Sequence, residues 1–378
     1  KVLYDPFVGR WIITGFYFPA PNWTNVSVLI GVSQTTDPTG SWNLYRIDAD
    51  PANLLMFDYP MIGFNKDWIV VQGQMYERFD FTVVRSDIYV FNKTNLYAGG
   101  AGLYSLFQRP ECAGYWGRLL TPATTYDDSL ATMYLVSQVM TNTHTNLSQL
   151  RLYTITGPVG AEVFTPGPVI TGSNHWDNLS RANDGELVEF GPQLGSSRKI
   201  IILPSFPMSV VYRNGSLWVV QNIFLPAGGN PKRSSLQWWQ LTPAGDILQQ
   251  GLIDDPTGVT FYGYPSLAVN QFNDVLLGYT RFATNIYPSA GYNFRFGTDS
   301  LNTMRSDVVY KAGEAPFDRL VFGVNRWGDY SQTCVDPLND SDLWTIQEYA
   351  ASPTNNLSRW GLWWGRVTPY SPTIGEVA

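Results

Sequence analysis

The sequence predicts an all-β chain folded as a β-propeller of four-stranded blades, and three observations predict it. First, the 34 Gly and 25 Pro are spread along all 378 residues, and apolar runs are short before an Asp, Asn, Pro or Gly cluster interrupts them. No stretch sustains helical periodicity over three turns, so the runs are strands. Second, one turn pattern recurs: an aromatic or apolar strand end, an Asp/Asn turn, then a strand opening on a large apolar residue. It appears at Tyr4-Asp5-Pro6, Phe64-Asn65-Lys66-Asp67-Trp68, Tyr126-Asp127-Asp128, Tyr212-Arg213-Asn214-Gly215, Val269-Asn270 and Val335-Asp336-Pro337, at intervals of 56 to 87 residues. Third, the strands flanking these turns also repeat, which is the mark of an array of similar supersecondary units.

Taken in order, each unit opens on an inner strand that runs into the turn. A second strand follows: Arg10-Trp11-Ile12-Ile13-Thr14, Trp68-Ile69-Val70-Val71-Gln72, Tyr134-Leu135-Val136-Ser137-Gln138, Trp218-Val219-Val220-Gln221 and Trp344-Thr345-Ile346-Gln347. Third strands come next, such as Val28-Leu29-Ile30-Gly31-Val32, Asp87-Ile88-Tyr89-Val90-Phe91, Leu150-Arg151-Leu152-Tyr153, Leu236-Gln237-Trp238-Trp239 and Leu362-Trp363-Trp364, and an outer strand such as Trp42–Ile47 closes the unit. The expected blades are 1–50, 57–109, 118–170, 205–255, 260–315 and 325–370, in a single domain covering 1–378. The longest interval carries a polar insertion at 171–204. The last unit lacks an evident fourth strand, so closure takes six blades or a seventh completed by sequence outside this chain.

Composition narrows the chemistry. Charged residues make up only 15% of the chain and aromatic residues another 15%, and the 24 Lys+Arg are outnumbered by 31 Asp+Glu for a net charge of -7. No basic stripe exists to track a phosphate backbone, which excludes nucleic acid as a partner. No apolar run approaches the roughly 20 residues of a membrane helix, which argues against membrane insertion. No signal peptide opens the chain at Lys1, and a soluble, already processed protein is expected. Two histidines, His144 and His175, and two cysteines, Cys112 and Cys334, are too few for a zinc cluster at any familiar spacing, and no G-x-S-x-G elbow stands ready for a catalytic triad. Both histidines are expected in surface loops. No metal-ligand set is assigned.

Several motifs resemble secreted bacterial-type β-propeller proteins of the sialidase-like, Asp-box-related group. They are Val2-Leu3-Tyr4-Asp5-Pro6 with Arg10-Trp11, Val32-Ser33-Gln34-Thr35 running into Asp37-Pro38-Thr39-Gly40-Ser41-Trp42, Asp58-Tyr59-Pro60, Tyr264-Pro265-Ser266-Leu267-Ala268-Val269-Asn270, Asn325-Arg326-Trp327-Gly328-Asp329-Tyr330-Ser331 and Trp344-Thr345-Ile346-Gln347-Glu348-Tyr349. Thr35 to Trp42 is similar to an Asp-box with Asp37 and Trp42 in register and Gly40 displaced by one position, and an Asp-box is a structural turn. The resemblance spans nearly the whole chain and implies the propeller fold. The sialidase arginine triad and Tyr/Glu nucleophile pair have no full counterpart here, and activity in the group is mostly unassigned.

In a propeller, the loops entering inner strands and leaving second strands share one face, where ligands bind. The entering loops supply Asp58-Tyr59-Pro60, Tyr264-Pro265-Ser266 and Arg326 to Ser331; the exits supply Gln72, Gln74, Gln138, Gln221-Asn222, Tyr279 with Arg281, and Gln347-Glu348-Tyr349. Amides, carboxylates and aromatic faces suit a hydroxyl-rich ligand, so Tyr59, Gln74, Gln138, Gln221, Tyr264, Arg281, Arg326 and Tyr330 are the candidate ligand-binding residues. If the protein is an enzyme, a glycoside hydrolase of sialidase-like type or a polysaccharide lyase would use Glu348 as acid/base with Asp329 or Asp58 as second carboxylate. The competing reading is structural: glutamines satisfying converging backbone, Tyr-Pro locking turns, and the carboxylates paired to Arg281 and Arg326.

Eight N-x-[S/T] sequons, at Asn22, Asn25, Asn92, Asn146, Asn178, Asn214, Asn339 and Asn356, point to an exported glycoprotein, secreted or on the cell surface. In that setting Cys112 and Cys334 are either bridged or, for Cys334, a small buried hydrophobe. The oxygen-rich turn Asp336 to Asp342 would admit calcium, against the plainer reading of an Asx turn; calcium at the channel mouth is also open. Two function classes stand side by side: a propeller that binds or cleaves a glycan or polysaccharide, and a structural or adhesive module contacting other copies or surface-assembly proteins in a layer, filament or appendage.

Overall fold

In a computed structural model, the structure describes residues 1–19, 24–79, 82–109, 119–139, 147–177, 189–321 and 323–370. Strands dominate, and among the described residues the one α-helix is Lys93–Tyr97, too short to register as a periodicity and capped by Asn92, whose side chain accepts from the Asn95 N–H. The sheets are antiparallel meanders, and the fold class is a six-bladed β-propeller built on four-stranded blades. Two compact units divide the chain: Lys1–His175 with Leu241–Ile247, and Trp176–Gln240 with Leu248–Ala378.

In the first unit, blade one pairs Val2–Asp5, Arg10–Tyr17, Ser27–Ser33 and Trp42–Asp48 in chain order. Blade two pairs Leu55–Phe64, Trp68–Glu77, Val83–Asn92 and Tyr104–Arg109, and blade three Thr121–Pro122, Met133–Gln138, Leu147–Thr156 and Val163–Trp176. Inner and central strands such as Trp68–Glu77 are buried on both faces, which is why they read as unbroken apolar runs; the outer strand Tyr104–Arg109 alternates in exposure. Ile12, Val28, Ile30, Phe57, Phe64 and Val71 join blades one and two in one core, and Trp68, Val70, Val90, Met133 and Leu135 join blades two and three.

The second unit holds blade four (Pro207–Arg213, Ser216–Leu225, Arg233–Leu241, Ile247–Ile253), blade five (Thr260–Val269, Val275–Ala283, Ile286–Arg295, Val308–Lys311) and blade six (Gln332–Val335, Leu343–Thr354, Leu357–Val367). Blade six has three strands among the described residues. The expected insertion 171–204 contains the end of the Val163–Trp176 strand and a hairpin, Glu189–Gln193 with Ser196–Ile201.

The recurrent turn residues act by one chemistry. Asp5 Oδ1 accepts from the Phe7 N–H at 3.0 Å, Asn65 Oδ1 from Asp67 and Trp68 at 3.0 and 2.9 Å, and Asp127 Oδ1 from Ser129 at 2.9 Å. Asn270 Oδ1 accepts from Phe272 and Asp274, and Asp336 Oδ1 from Leu338. Each is an Asx turn joining an inner strand to a second strand. Asn214 instead takes positive φ beside Gly215, with its side-chain amide donating to Gln271 O and Asn273 Oδ1.

Candidate functional site

The segment from Arg319 to Ser331 precedes the inner strand of blade six, and apolar and polar anchors fix its course. Trp327 is buried, edge-on to Phe317 at 4.8 Å and to Phe282 at 5.9 Å. Asn325 donates from Nδ2 to Phe317 O, accepts from the Arg319 N–H, and gives its own N–H to Glu189 Oε1 at 2.6 Å. Further on, Ser331 Oγ donates to Tyr264 O at 2.7 Å, tying the loop to the inner strand of blade five. Between these anchors Arg326 and Asp329 form an ion pair at 2.7 Å, and Gly328 faces the second strand of blade six.

Glu348 stands on that second strand, two residues beyond the point where pairing with the inner strand stops at Gln332 and Ile346. Its carboxyl is seated on Gly328. The Gly328 N–H donates to it, and a Cβ at that position would overlap the carboxyl group, so a larger residue there would push the carboxyl off its seat. Thr280 of blade five donates its hydroxyl to the Glu348 carbonyl at 3.3 Å. Glu348 is 4% exposed, and its Oε2 has no hydrogen-bond partner among the described residues. Burial pushes the carboxyl up to about 8, the nearby Asp329 charge adds to the rise, and the Gly328 N–H opposes it. Glu348 therefore holds a proton at neutral pH, whereas Asp329 faces a guanidinium.

Tyr264 completes this group. It takes a left-handed φ of 59° just before Pro265, where the ladder between Thr260–Val269 and Val275–Ala283 slips register. An aromatic residue in that region is strained, and three contacts hold it: its hydroxyl donates to Ile201 O at 2.6 Å, its N–H donates to Asn222 Oδ1 at 3.1 Å, and Ser331 bonds its carbonyl. Burial, and secondarily the Asp329 charge, lift its phenol well above the ordinary range. Beneath lies a hydroxyl and amide network in which Ser266, Ser331, Thr333, Thr345 and Gln347 bond one another at 2.8 to 3.1 Å.

The other expected site residues are placed as follows. Arg281 is paired with Asp307 at 3.2 Å and donates to Thr260 Oγ1; its expected partnership with the mouth carboxylates is replaced by this pair, because Asp307, remote in sequence, is brought to blade five by the 296–307 connection. Arg326 takes Asp329 as expected. Tyr330 adjoins Asp329 on the same loop, half-buried. Gln221 is fully buried in blade four, and neither polar atom of its amide meets a partner among the described residues.

In the first unit, Asp58 pairs across the ladder with Gln74, and Gln74 with Ser86, so the three share one face of blade two. Asp58 Oδ1 accepts from the Tyr59 N–H at 2.7 Å, and Tyr59 repeats the Tyr264 device with φ of 56° before Pro60 at a register shift. Tyr76 donates its hydroxyl to Gln74 Oε1, and Gln74 Nε2 is buried without a partner among the described residues. The Gln138 amide of blade three is buried with both polar atoms unpartnered among the described residues. Sequence reasoning missed Thr280 and Asp307, which carry no local signal; it placed Asn222 and Gly328 in the mouth loops without giving either a role.

Elsewhere, the Asp336 to Asp342 turn spends its donors on protein. Asn339 Oδ1 accepts from Ser341 and Asp342, Asp336 Oδ2 from the Trp344 indole at 2.9 Å, Asp340 pairs with Arg213 and Asp342 with Arg366. Among the described residues no group of three or more His, Cys, Asp or Glu is set to hold a metal ion. Asp37 Oδ1 accepts from Thr39 N and Oγ1, and Trp42 donates its indole N–H to Pro38 O, so this Asp-box-like stretch is a closed turn. Cys334 is half-buried on the blade six inner strand with its thiol pushed up to about 11 by burial, and Cys112 lies outside the described residues, as does His144. His175 is exposed but on a strand rather than in a loop. No described helix is long and apolar enough to cross a membrane.

No family model matches the chain, and no curated protein matches it. Solved structures similar to it include a protein of unknown function from Dyadobacter fermentans, 11% identical over 97% of this chain and 92% of that one with a TM-score of 0.51. The α-L-arabinofuranosidase Arb93A of Fusarium graminearum is 12% identical over 96% and 91% with a TM-score of 0.46, and the Trypanosoma rangeli sialidase 9% identical over 96% and 54% with a TM-score of 0.44. At these identities the likeness is one of fold.

Proposed function

We propose that the second unit carries a glycan-binding and glycan-cleaving site centred on Glu348. The observation that supports it is a buried carboxyl, pushed up to about 8 by that burial, with one side held by the Gly328 N–H and Oε2 unpartnered among the described residues, next to the Asp329 carboxylate. Buried polar atoms without partners are rare in folded proteins, and a carboxyl neutral at pH 7 beside an ionised one separates acid from base. Glu348 donates its proton to the glycosidic oxygen as the bond breaks, and Asp329, oriented by Arg326, is the second carboxylate. Hydrolysis and elimination both use such an acid, so the enzyme is a glycoside hydrolase or a polysaccharide lyase. The test is a polysaccharide screen, with and without calcium, on the wild-type chain and on Glu348→Gln. Cleavage that Glu348→Gln lowers by about 10²-fold or more supports the assignment; cleavage untouched by that change removes it.

The same proposal takes the protein as extracellular and glycosylated. Asn25, Asn339 and Asn356 are exposed and suit modification, whereas the Asn214 amide nitrogen is already committed to hydrogen bonds; Asn22, Asn146 and Asn178 lie outside the described residues. Mass spectrometry of the secreted protein, with and without glycosidase treatment, tests this. One observation favours the adhesive reading instead. The outer blade six strand exposes Leu362, Trp363 and Trp364 at 52%, 47% and 65%. Self-association lost on Trp364→Ser would support it.

A further inference from the structure

The charges around Glu348 also bear on what kind of sugar the site takes, an inference that rests on the glycan reading above. A carboxylate-bearing sugar needs a cation that is not already committed. Here Arg326 is ion-paired with Asp329 at 2.7 Å, and Arg281 with Asp307 at 3.2 Å. Among the described residues, the other groups at Glu348 are the Gly328 N–H, the Thr280 hydroxyl on its carbonyl, and the phenol of Tyr264. A ligand carboxylate would therefore meet the Asp329 charge directly, or would have to displace it from Arg326 and leave it without its ion partner. The chain as a whole carries a charge of -7, which also disfavours approach of a polyanion. Against this, a hydroxyl can donate to Asp329, or take the Glu348 Oε2 proton, without separating any ion pair.

We infer that the Glu348 and Asp329 site accepts uncharged sugar rings and rejects uronate and sialate rings, because Arg326 is already matched by Asp329; of the two reactions above this leaves hydrolysis, since elimination needs a uronate ring. The probes are pairs differing only in charge, cellohexaose against its C6-oxidised form and lactose against sialyllactose, beside neutral xylan and arabinan oligosaccharides. Binding is followed by calorimetry at pH 6.5 on the full chain and on Glu348→Gln. Neutral members are expected to bind at least tenfold more tightly, with that binding weakened in Glu348→Gln. In Asp329→Asn, which removes the carboxylate matched to Arg326, the neutral preference is expected to shrink by about tenfold. Tighter Glu348-dependent binding of the charged members overturns the inference and leaves the glycan reading standing. No Glu348-dependent binding to any member overturns the glycan reading, and this inference with it.

Discussion

Replacing Lys93 tests how the first unit is held together. Its Nζ lies 2.6 Å from Asp5 Oδ2, with side-chain exposures of 4% and 0%, and donates to Asn65 O at 2.8 Å. The ammonium also stands 5.1 and 5.2 Å from the rings of Phe7 and Phe64. One contact thus joins the turn of blade one, the turn of blade two and the short helix. At an effective dielectric of about 20 the pair attracts by about 6 kcal/mol, and several kcal/mol of desolvation per ion offset most of it. Burial accordingly pulls the Lys93 ammonium down, against Asp5 holding it up. Lys93→Met removes the attraction and leaves a buried carboxylate supported by the Tyr97 hydroxyl and the Phe7 N–H. The expected loss is about 3–5 kcal/mol, and Asp5→Asn combined with Lys93→Met should recover much of it, because neither ion is then buried alone. Urea unfolding of the full chain, read by tryptophan fluorescence, measures both. A loss below about 1 kcal/mol for Lys93→Met, or a double variant no better than the single, would refute the argument.

Three further outcomes are expected. Glu348 titrates near 8 in the folded chain against 4.5 ordinarily, so between those values the folded state keeps a proton that the unfolded state has lost. Stability from this group is full below about pH 4.5 and falls as pH rises towards 8; urea midpoints at pH 5 and pH 8 should therefore diverge more for the wild type than for Glu348→Gln, and equal changes would contradict the shift. Gly63→Ala drives a Cβ into the backbone of Ala123 and Pro122, which cannot swing aside as a side chain would, and blades two and three must separate at a cost of about 1–3 kcal/mol or more in the same urea assay. Gly328→Ala displaces the Glu348 carboxyl from its seat, so any Glu348-dependent turnover should fall by about tenfold or more while the unfolding midpoint moves little; full turnover would show that the seat is dispensable.

The parts of this fold legible in the sequence are those encoded within a few residues. Asp5, Asn65, Asp127, Asn270 and Asp336 were recognisable because an Asx turn needs only its own side chain and the next two or three amides. The Asp37 turn was legible for the same reason, and the unbroken apolar runs of the central strands followed from burial on both faces. The site was legible only in part. Arg326 and Asp329 are three residues apart on one loop, and their pairing follows from that closeness. Arg281 with Asp307, Glu348 on Gly328, and Thr280 on the Glu348 carbonyl are tertiary meetings between separate strands and loops, and nothing local specifies them.

Tyr59 and Tyr264 show how one backbone device can be kept while its chemistry changes. Both precede a proline, both hold φ near 60°, and both sit where the inner strand slips register against the second strand. A left-handed aromatic residue costs on the order of 1–3 kcal/mol and persists only where its surroundings over-determine it. At Tyr264 that determination comes from Ile201, Asn222 and Ser331, the last belonging to the loop that carries Asp329 and Gly328. The strain of the inner strand and the position of the Glu348 seat are thus joined through one hydroxyl. The residue before each tyrosine differs: Asp58 in blade two, with its carboxylate turned onto the Tyr59 N–H, and Gly263 in blade five, where the carboxylates come from blade six instead. The repeat therefore supplies the same bend twice, and what stands beside the bend decides whether a carboxyl locks the turn or is left with an unpartnered oxygen for chemistry.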